Sequence, residues 1–245
     1  MNTEPLIGLA ALMRQALSGV DAAPLVQTLM ARATDNPNDA NALLDLSILL
    51  QINRKRELGL GVMRQALEMQ QLYHPPSSGA PASLRVLALM APGDLMANTP
   101  IECLLEGSDV SLNLLYIAPW LPLPEIPEHD VLFVAAGEPD RNQGTLDLIA
   151  KFLPDWPTPV IHTPERISRL TRDGAEACLR DAPGIVIPKV ACIERDILAA
   201  IGTGGQSVNT FLGGDGFPII VRPIGSHAGI GLEKLDAFSD VAAYL

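Results

Sequence analysis

Four short apolar runs, spaced widely enough for a crossover between each, constrain this chain more than any other feature. They are Leu84-Arg-Val-Leu-Ala-Leu-Met90, Leu112–Ile117, Asp130-Val-Leu-Phe-Val-Ala-Ala136 and the shorter Pro159-Val-Ile-His162. Each reads as a buried strand. Antiparallel neighbours can be joined by a tight hairpin, but parallel neighbours need a connection of about a dozen residues or more, usually a helix. The intervals here are of that kind. Thr99-Pro100 suits a helix start, with Thr99 as cap and Pro100 at the first position. Asn142–Phe152 has a helical pattern, and Pro119–Pro127 is a proline-rich surface loop. Residues 84–165 are therefore expected to form an α/β domain with a parallel sheet.

Residues 1–73 follow another period. Apolar side chains recur at three and four: Leu6, Leu9, Leu12, Met13 and Ala16; Leu25, Leu29 and Met30; Leu43, Leu46, Leu49 and Leu50; Leu60, Met63 and Leu67. That spacing predicts amphipathic helices. Asp35-Asn-Pro-Asn-Asp39 caps a helix from about Ala40, and Asn53-Arg-Lys-Arg56 breaks the pattern before the next. The order of capped turn, Leu43, Leu46, polar turn and Ala66-Leu67 resembles one tetratricopeptide (TPR) repeat. Leu9 and Leu12 stand where a degenerate earlier copy would put them. The resemblance implies a protein partner bound through residues 1–73. Two repeats rarely bury a stable core alone, so this segment is expected to pack on the α/β domain or on a second copy, as a homodimer. His74–Ser83 reads as a linker from its prolines, serines and glycine.

Residues 164–245 begin with helical patterns at Pro164–Leu170, Gly174–Arg180 and Glu194–Ile201. Gly184-Ile-Val-Ile-Pro188 reads as a strand end placing Lys189. The turn cluster Gly213-Gly-Asp-Gly216 precedes Phe217-Pro-Ile-Ile-Val-Arg-Pro223, which enters a glycine-rich loop, Gly225 to Gly231. The chain leaves through Leu232–Asp236 into a helix from about Ala237. Backbone N–H groups approach an anion closely only where no Cβ intrudes, so such loops hold phosphates. The loop is not a P-loop, since no Gly-Lys-Ser/Thr follows. It is not the dinucleotide fingerprint either, since the glycines fall as GxxxGxG and open no helix. Two readings fit: a flap over nucleotide phosphates with Arg222 aimed at them, or an ordinary hairpin whose glycines solve turn geometry.

The net charge of −11 argues against nucleic-acid backbones and anionic membranes as partners. Cys103, Cys178 and Cys192 form no CxxC, and His74, His129, His162 and His227 show no metal-binding spacing. Free thiols, no metal and a cytoplasmic location are the expectation. Asp94 and Glu138-Pro-Asp140 follow strand ends, where open α/β sheets bind ligands, though turns and caps use such residues as well. Trp120 and Trp156 are expected to be packing anchors, and Cys103 to be core.

The ordered set Asp130–Asp140, Pro159–Ile167, Pro183–Pro188 and Phe217–Pro223 with its glycine loop resembles the ATP-grasp superfamily over about residues 84–245. The resemblance implies a Rossmann-like pre-ATP-grasp domain over 84–165 and the first part of an ATP-grasp module over 166–245. It implies an ATP-dependent carboxylate–amine (or thiol) ligase acting on a small-molecule or peptide carboxylate, with ATP and Mg²⁺ as cofactors. Arg222, Gly225, Ser226, His227, Gly229 and Gly231 would hold the phosphates, with Lys189 a further candidate. This chain departs from the family at two points. Arg222 stands where a lysine is usual, and the usual Asp-Lys pair reads Arg172-Asp173-Gly174. The family places its adenine-contacting hinge and its acidic and asparagine Mg²⁺ ligands after the flap. This chain is therefore expected to be the front half of such an enzyme, with no Mg²⁺ ligands and no turnover by itself. The other expectation is a non-catalytic module, with TPR-type helices for a partner and the α/β part as scaffold.

Overall fold

The computed structural model describes residues 4–77, 82–137, 140–214, 216–226 and 229–245. They divide into two compact units, Met1–Ile167 and Ser168–Leu245.

In the first unit five strands form one sheet: β1 (Leu72–Tyr73), β2 (Leu84–Met90), β3 (Val110–Tyr116), β4 (Val131–Val134) and β5 (Val160–Ile161), in the order β1-β3-β2-β4-β5. The β2–β3, β2–β4 and β4–β5 pairs are parallel. The four apolar runs are thus the four parallel strands. Only β1 is antiparallel, with Tyr73 opposite Leu114. Two residues are too short to show an alternation, which is why the reading of 1–73 as wholly helical missed it.

The pleat sends alternate residues to opposite faces. Val86, Ala88 and Met90 of β2, with Leu112, Leu114, Tyr116 and Phe133, share one core with the N-terminal helices. Those helices are α1 (Leu9–Leu17), α2 (Ala23–Asp35), α3 (Ala40–Ile52) and α4 (Arg56–Met69). Leu87, Leu89, Leu115, Leu132 and Val134 pack on the other side against Leu146 and Ile149. These last two belong to α6 (Gln143–Phe152), beside α7 (Pro164–Ile167). The unit is therefore a helix–sheet–helix sandwich, and residues 1–73 bury their apolar stripe on the sheet. Every residue from Ala42 to Gln51 is buried, because α3 lies between other helices and the sheet. The cap works as expected: Asp39 Oδ1 accepts the Ala42 amide at 2.9 Å.

Three expectations need correction here. Thr99 does not cap α5 (Ile101–Leu105); Pro100 stands at the cap without a side-chain bond. The Thr99 amide is instead drawn to the Ala135 carbonyl, at 2.7 Å, as the 91–99 loop crosses the end of β4. Cys103 is exposed, because α5 buries Ile101 and Glu102 instead. Trp120 lies exposed, while Trp156 is half-buried and does anchor, donating to His129 Nε2 at 2.9 Å.

The second unit holds α8 (Arg172–Leu179), α9 (Arg195–Gly202), α10 (Asn209–Leu212), the antiparallel pair β6 (Ile219–Val221) and β7 (Glu233–Leu235), and α11 (Phe238–Tyr244). Leu198, Leu235 and Val241 are its buried centre. At Gly202 a Cβ would stand 2.8 Å from that of Val241, so the glycine lets α9 and α11 meet. Gly184–Pro188 is not a strand: Val186 is 98% exposed, and Pro183 and Pro188 bracket the run. A proline offers no N–H for a ladder. Among the described residues, no helix is long and apolar enough to cross a membrane.

Candidate functional site

In the second unit β6 and β7 pair as Ile219 with Leu235, Ile220 with Lys234 and Val221 with Glu233. Leu235 turns into the small core, which fixes the register and leaves residues 222–226 and 229–232 outside the strand pair. Two turns shape them. Ser226 closes the first, its amide and hydroxyl both reaching the Pro223 carbonyl, at 3.2 and 2.8 Å. Leu232 closes the second on Gly229. Gly225, Gly229 and Gly231 have φ of 68°, 77° and 62°, a region costly for any residue with a Cβ. A Cβ on Gly231 would also lie 2.8 Å from the ring of Pro223, whereas Gly225 and Gly229 face open space. The loop backbone is thus bare on its outer side at two of its three glycines. His227 and Ala228 lie outside the described residues.

Arg222 does not point into solvent. Its Nε approaches Ser226 Oγ at 3.4 Å, and its terminal nitrogen donates to the Ser226 carbonyl. A second guanidinium converges on that same oxygen, from Arg172. Arg172 is the first residue of α8, whose start is set by Thr171. The Thr171 hydroxyl accepts the Gly174 amide at 3.1 Å. Gly174 is needed there, because a Cβ would stand 2.1 Å from the Arg169 carbonyl. Among the described residues, neither arginine has a carboxylate partner. Loss of water, and then the charge of Arg172, lower the pKa of Arg222 below the usual guanidinium value. Two cations sharing one carbonyl form a local excess of positive charge on a chain of net charge −11.

The structure therefore brings Arg222, Gly225, Ser226, Gly229 and Gly231 together and adds Arg172. In the sequence Arg172 stands only within Arg172-Asp173-Gly174, where the resemblance would put an Asp-Lys pair, and nothing local marks it as a partner of Ser226. Lys189 is an exposed residue whose Nζ lies over Gly213, 2.8 Å from where a Cβ would be. Its charge helps hold Glu176, bonded to Arg180, below the usual carboxylate range.

At the carboxyl ends of the parallel strands the first unit closes on itself. The crevice between β2 and β4, where neighbouring connections diverge, is the usual ligand position in open α/β sheets. Here Asn98 bridges to Ala136 and binds both the amide and the carbonyl of Ala91. Asp94 accepts from Arg56 at 3.0 Å and from Arg141 at 2.7 Å. Partial burial pushes its pKa up, but Arg56, the Met96 amide and the charge of Arg141 outweigh that and hold it below the usual range. Asp94 is thus a clamp between α4 and the α6 approach. Glu138 and Pro139 lie outside the described residues, as does the side chain of Asp140. Among the described residues, no three His, Cys, Asp or Glu side chains gather as a metal site.

No protein-family model matches this chain, and no curated protein matches it significantly. The site has to be read from its own chemistry.

Proposed function

We propose that the second unit clasps the phosphates of ATP, as the opening part of an ATP-grasp-type carboxylate–amine (or thiol) ligase. The observation that carries this reading is the convergence of Arg172 and Arg222 on the Ser226 carbonyl with no carboxylate partner among the described residues. A polyanion set between the two guanidiniums would relieve their repulsion and take charge-assisted bonds from both. The Gly225 and Gly229 backbone, open where side chains would stand, would let N–H groups approach the same phosphates. Arginine suits this task through its planar fork of donors. In the reaction implied, the γ-phosphoryl group passes to a substrate carboxylate oxygen and ADP leaves. An amine or thiol then attacks the acyl carbon and expels phosphate. The residues described here bind and orient; no metal-bridged step is assigned to them.

Binding of a fluorescent ATP analogue to the full chain tests the reading. Arg222→Ala and Arg172→Ala should each weaken binding by about 10-fold or more, the loss of a hydrogen bond to a charged group. Arg222→Lys should keep part of it. Wild-type chain that binds no nucleotide, or alanine variants that bind as well as wild type, would overturn it.

One observation favours a second reading, a partner-binding role for the N-terminal helices. An open groove of about 430 Å³ lies on α2–α4, lined by Ala33, Pro37, Leu43, Gln65, Glu68 and Met69. If it holds a peptide, Met69→Glu in the full chain should abolish peptide capture and leave nucleotide binding unchanged. Peptide capture that survives the substitution would exclude the groove.

A further inference from the structure

The proline-rich stretch between β3 and β4 has a burial pattern that neither reading above uses. Prolines stand at 119, 122, 124 and 127. Proline fixes its own φ, and the residue before a proline is driven to extended or polyproline II geometry. Leu121, Leu123 and Ile126 each precede a proline, so six of the seven residues from Leu121 to Pro127 are held extended by covalent geometry. Among the described residues, no backbone–backbone hydrogen bond involves 122–129, as expected for polyproline II, which has none internally.

The burial repeats every third residue, the period of that helix. Leu121, Pro124, Pro127 and Asp130 are half-buried, and every residue between Leu121 and Pro127 off that row is exposed. Two rows face outward. One is apolar: Leu123 (62% exposed) and Ile126 (39%); Trp120 stands just before it, in the turn that the Leu121 amide closes on the Ala118 carbonyl at 3.1 Å. The other is Pro122, Glu125 and Glu128. Both ends are pinned. The Arg64 guanidinium stacks over Trp120, 5.0 Å from its centroid. At the far end Trp156 donates to His129 Nε2, which leaves Nδ1–H to donate to the Pro127 carbonyl at 2.8 Å. Arg85 holds Glu128 and Asp130.

We propose that residues 122–128 are a pre-ordered polyproline II ligand displayed for a separate protein. Its partner has an aromatic-lined groove with a basic rim, the kind of surface that reads such helices. Leu123 and Ile126 seat in the groove, and Glu125 meets lysine or arginine at its edge. Pinning at both ends means that little ordering entropy is lost on binding. A second copy of this chain does not fit. Its net charge of −11 repels the acidic row, and Tyr73 and Tyr116, which could line such a groove, are buried.

The test titrates the full chain with a panel of purified SH3, WW and EVH1 domains, read by Trp120 fluorescence and calorimetry. At least one basic-rimmed domain should bind in the micromolar range. Leu123→Ala with Ile126→Ala, and separately Glu125→Lys, should each weaken that binding about 10-fold or more. All three positions are exposed, so thermal melts of the variants should match wild type; if the double variant melts early, Glu125→Lys alone decides. Binding to every domain weaker than about 1 mM, or affinity unmoved by the substitutions, would overturn the proposal. So would a dimer in sedimentation that Leu123→Asp dissociates, since the face would then belong to a second copy.

Discussion

Asp45 and Glu102 are carboxyls that water scarcely reaches, and both are committed to the first turn of α1. The Ile7 and Gly8 amides donate to Asp45 at 2.8 and 3.0 Å, and the Ala10 amide donates to Glu102 at 3.1 Å. These are donors that a helix start leaves without partners. Gly8 must be glycine, since a Cβ would strike Glu102 Oε1 at 2.2 Å. Burial dominates the energetics. Loss of water raises Asp45 to about 6, against the pull of the two amides and Arg32. It raises Glu102 to about 7, with the charges of Asp45 and Glu106 adding to the rise. Both carboxyls ionise more easily in the unfolded chain. Their ionisation therefore costs stability: the contribution of these two groups is greatest below about pH 4 and is lost as pH rises through the folded values of about 6 and 7. Glu102 alone accounts for up to about 3 kcal/mol of that fall, at about 1.4 kcal/mol per pH unit. Denaturant melts at pH 5 and pH 8 should show wild type weakening toward pH 8, and Glu102→Gln should flatten the difference. A Glu102→Gln chain with the same pH slope would remove Glu102 as its source. The two capping acids were unequally legible. Asp39 announced itself within a turn cluster before an apolar run. Asp45 carries no such local signal, because its partners lie 37 and 38 residues earlier in the chain.

The helix pair α3–α4 shows what an element demands of its neighbours. At Gly59 a Cβ would stand 2.6 Å from Gln51 Cγ and 2.8 Å from the Ser47 carbonyl, so a glycine lets the two backbones approach there. Gln51 is drawn into this contact, and among the described residues neither its Oε1 nor its Nε2 finds a partner. A buried amide left unbonded costs about 1–3 kcal/mol. Gln51→Met keeps the shape and removes the polar atoms, so it should stabilise the first unit by about 1–2 kcal/mol in thermal or urea melts. Gly59→Ala should do the reverse, by about 1–3 kcal/mol, although alanine has the better helix propensity by about 1 kcal/mol. If Gln51→Met destabilises, the amide has a bonding role and the packing argument fails. The same contrast explains which elements could be read from sequence. Long, one-sided or fully buried patterns, such as α3 and the four parallel strands, carry their burial in their spelling. Gly184–Pro188 has the spelling of a strand but no pairing. Pairing depends on what lies alongside in space, which a local run of residues does not encode. The phosphate-site candidate divides the same way: the glycine loop was visible as a motif, while Arg172 became part of it only when α8 brought it to Ser226.

At the scale of the molecule the two units differ in how much they bury. The first wraps two apolar clusters around both faces of a sheet, whereas the second centres on Leu198, Leu235 and Val241. Burial of apolar surface is the main favourable contribution to folding, at about 25 cal/mol per Å². A unit with so few fully buried side chains has little margin over the entropy of ordering its chain. The parallel-sheet unit was legible because periodicity reports burial directly, and it is the unit with more to bury. The second unit was legible mainly through its glycines and prolines, which report backbone shape and say little about stability. The second unit should therefore open first in denaturant. The chain carries its own means of seeing this, since both tryptophans, Trp120 and Trp156, lie in the first unit. Tryptophan fluorescence will follow only the first unit, while far-ultraviolet circular dichroism follows the helices of both. The two urea curves should not coincide: the dichroism should begin to fall at lower urea, and fluorescence should hold until the sheet unfolds. ATP at saturating concentration should move only the early phase, because a ligand stabilises the unit that binds it. Superimposed curves would show that the units unfold together, and an ATP shift confined to the late phase would place the nucleotide in the first unit.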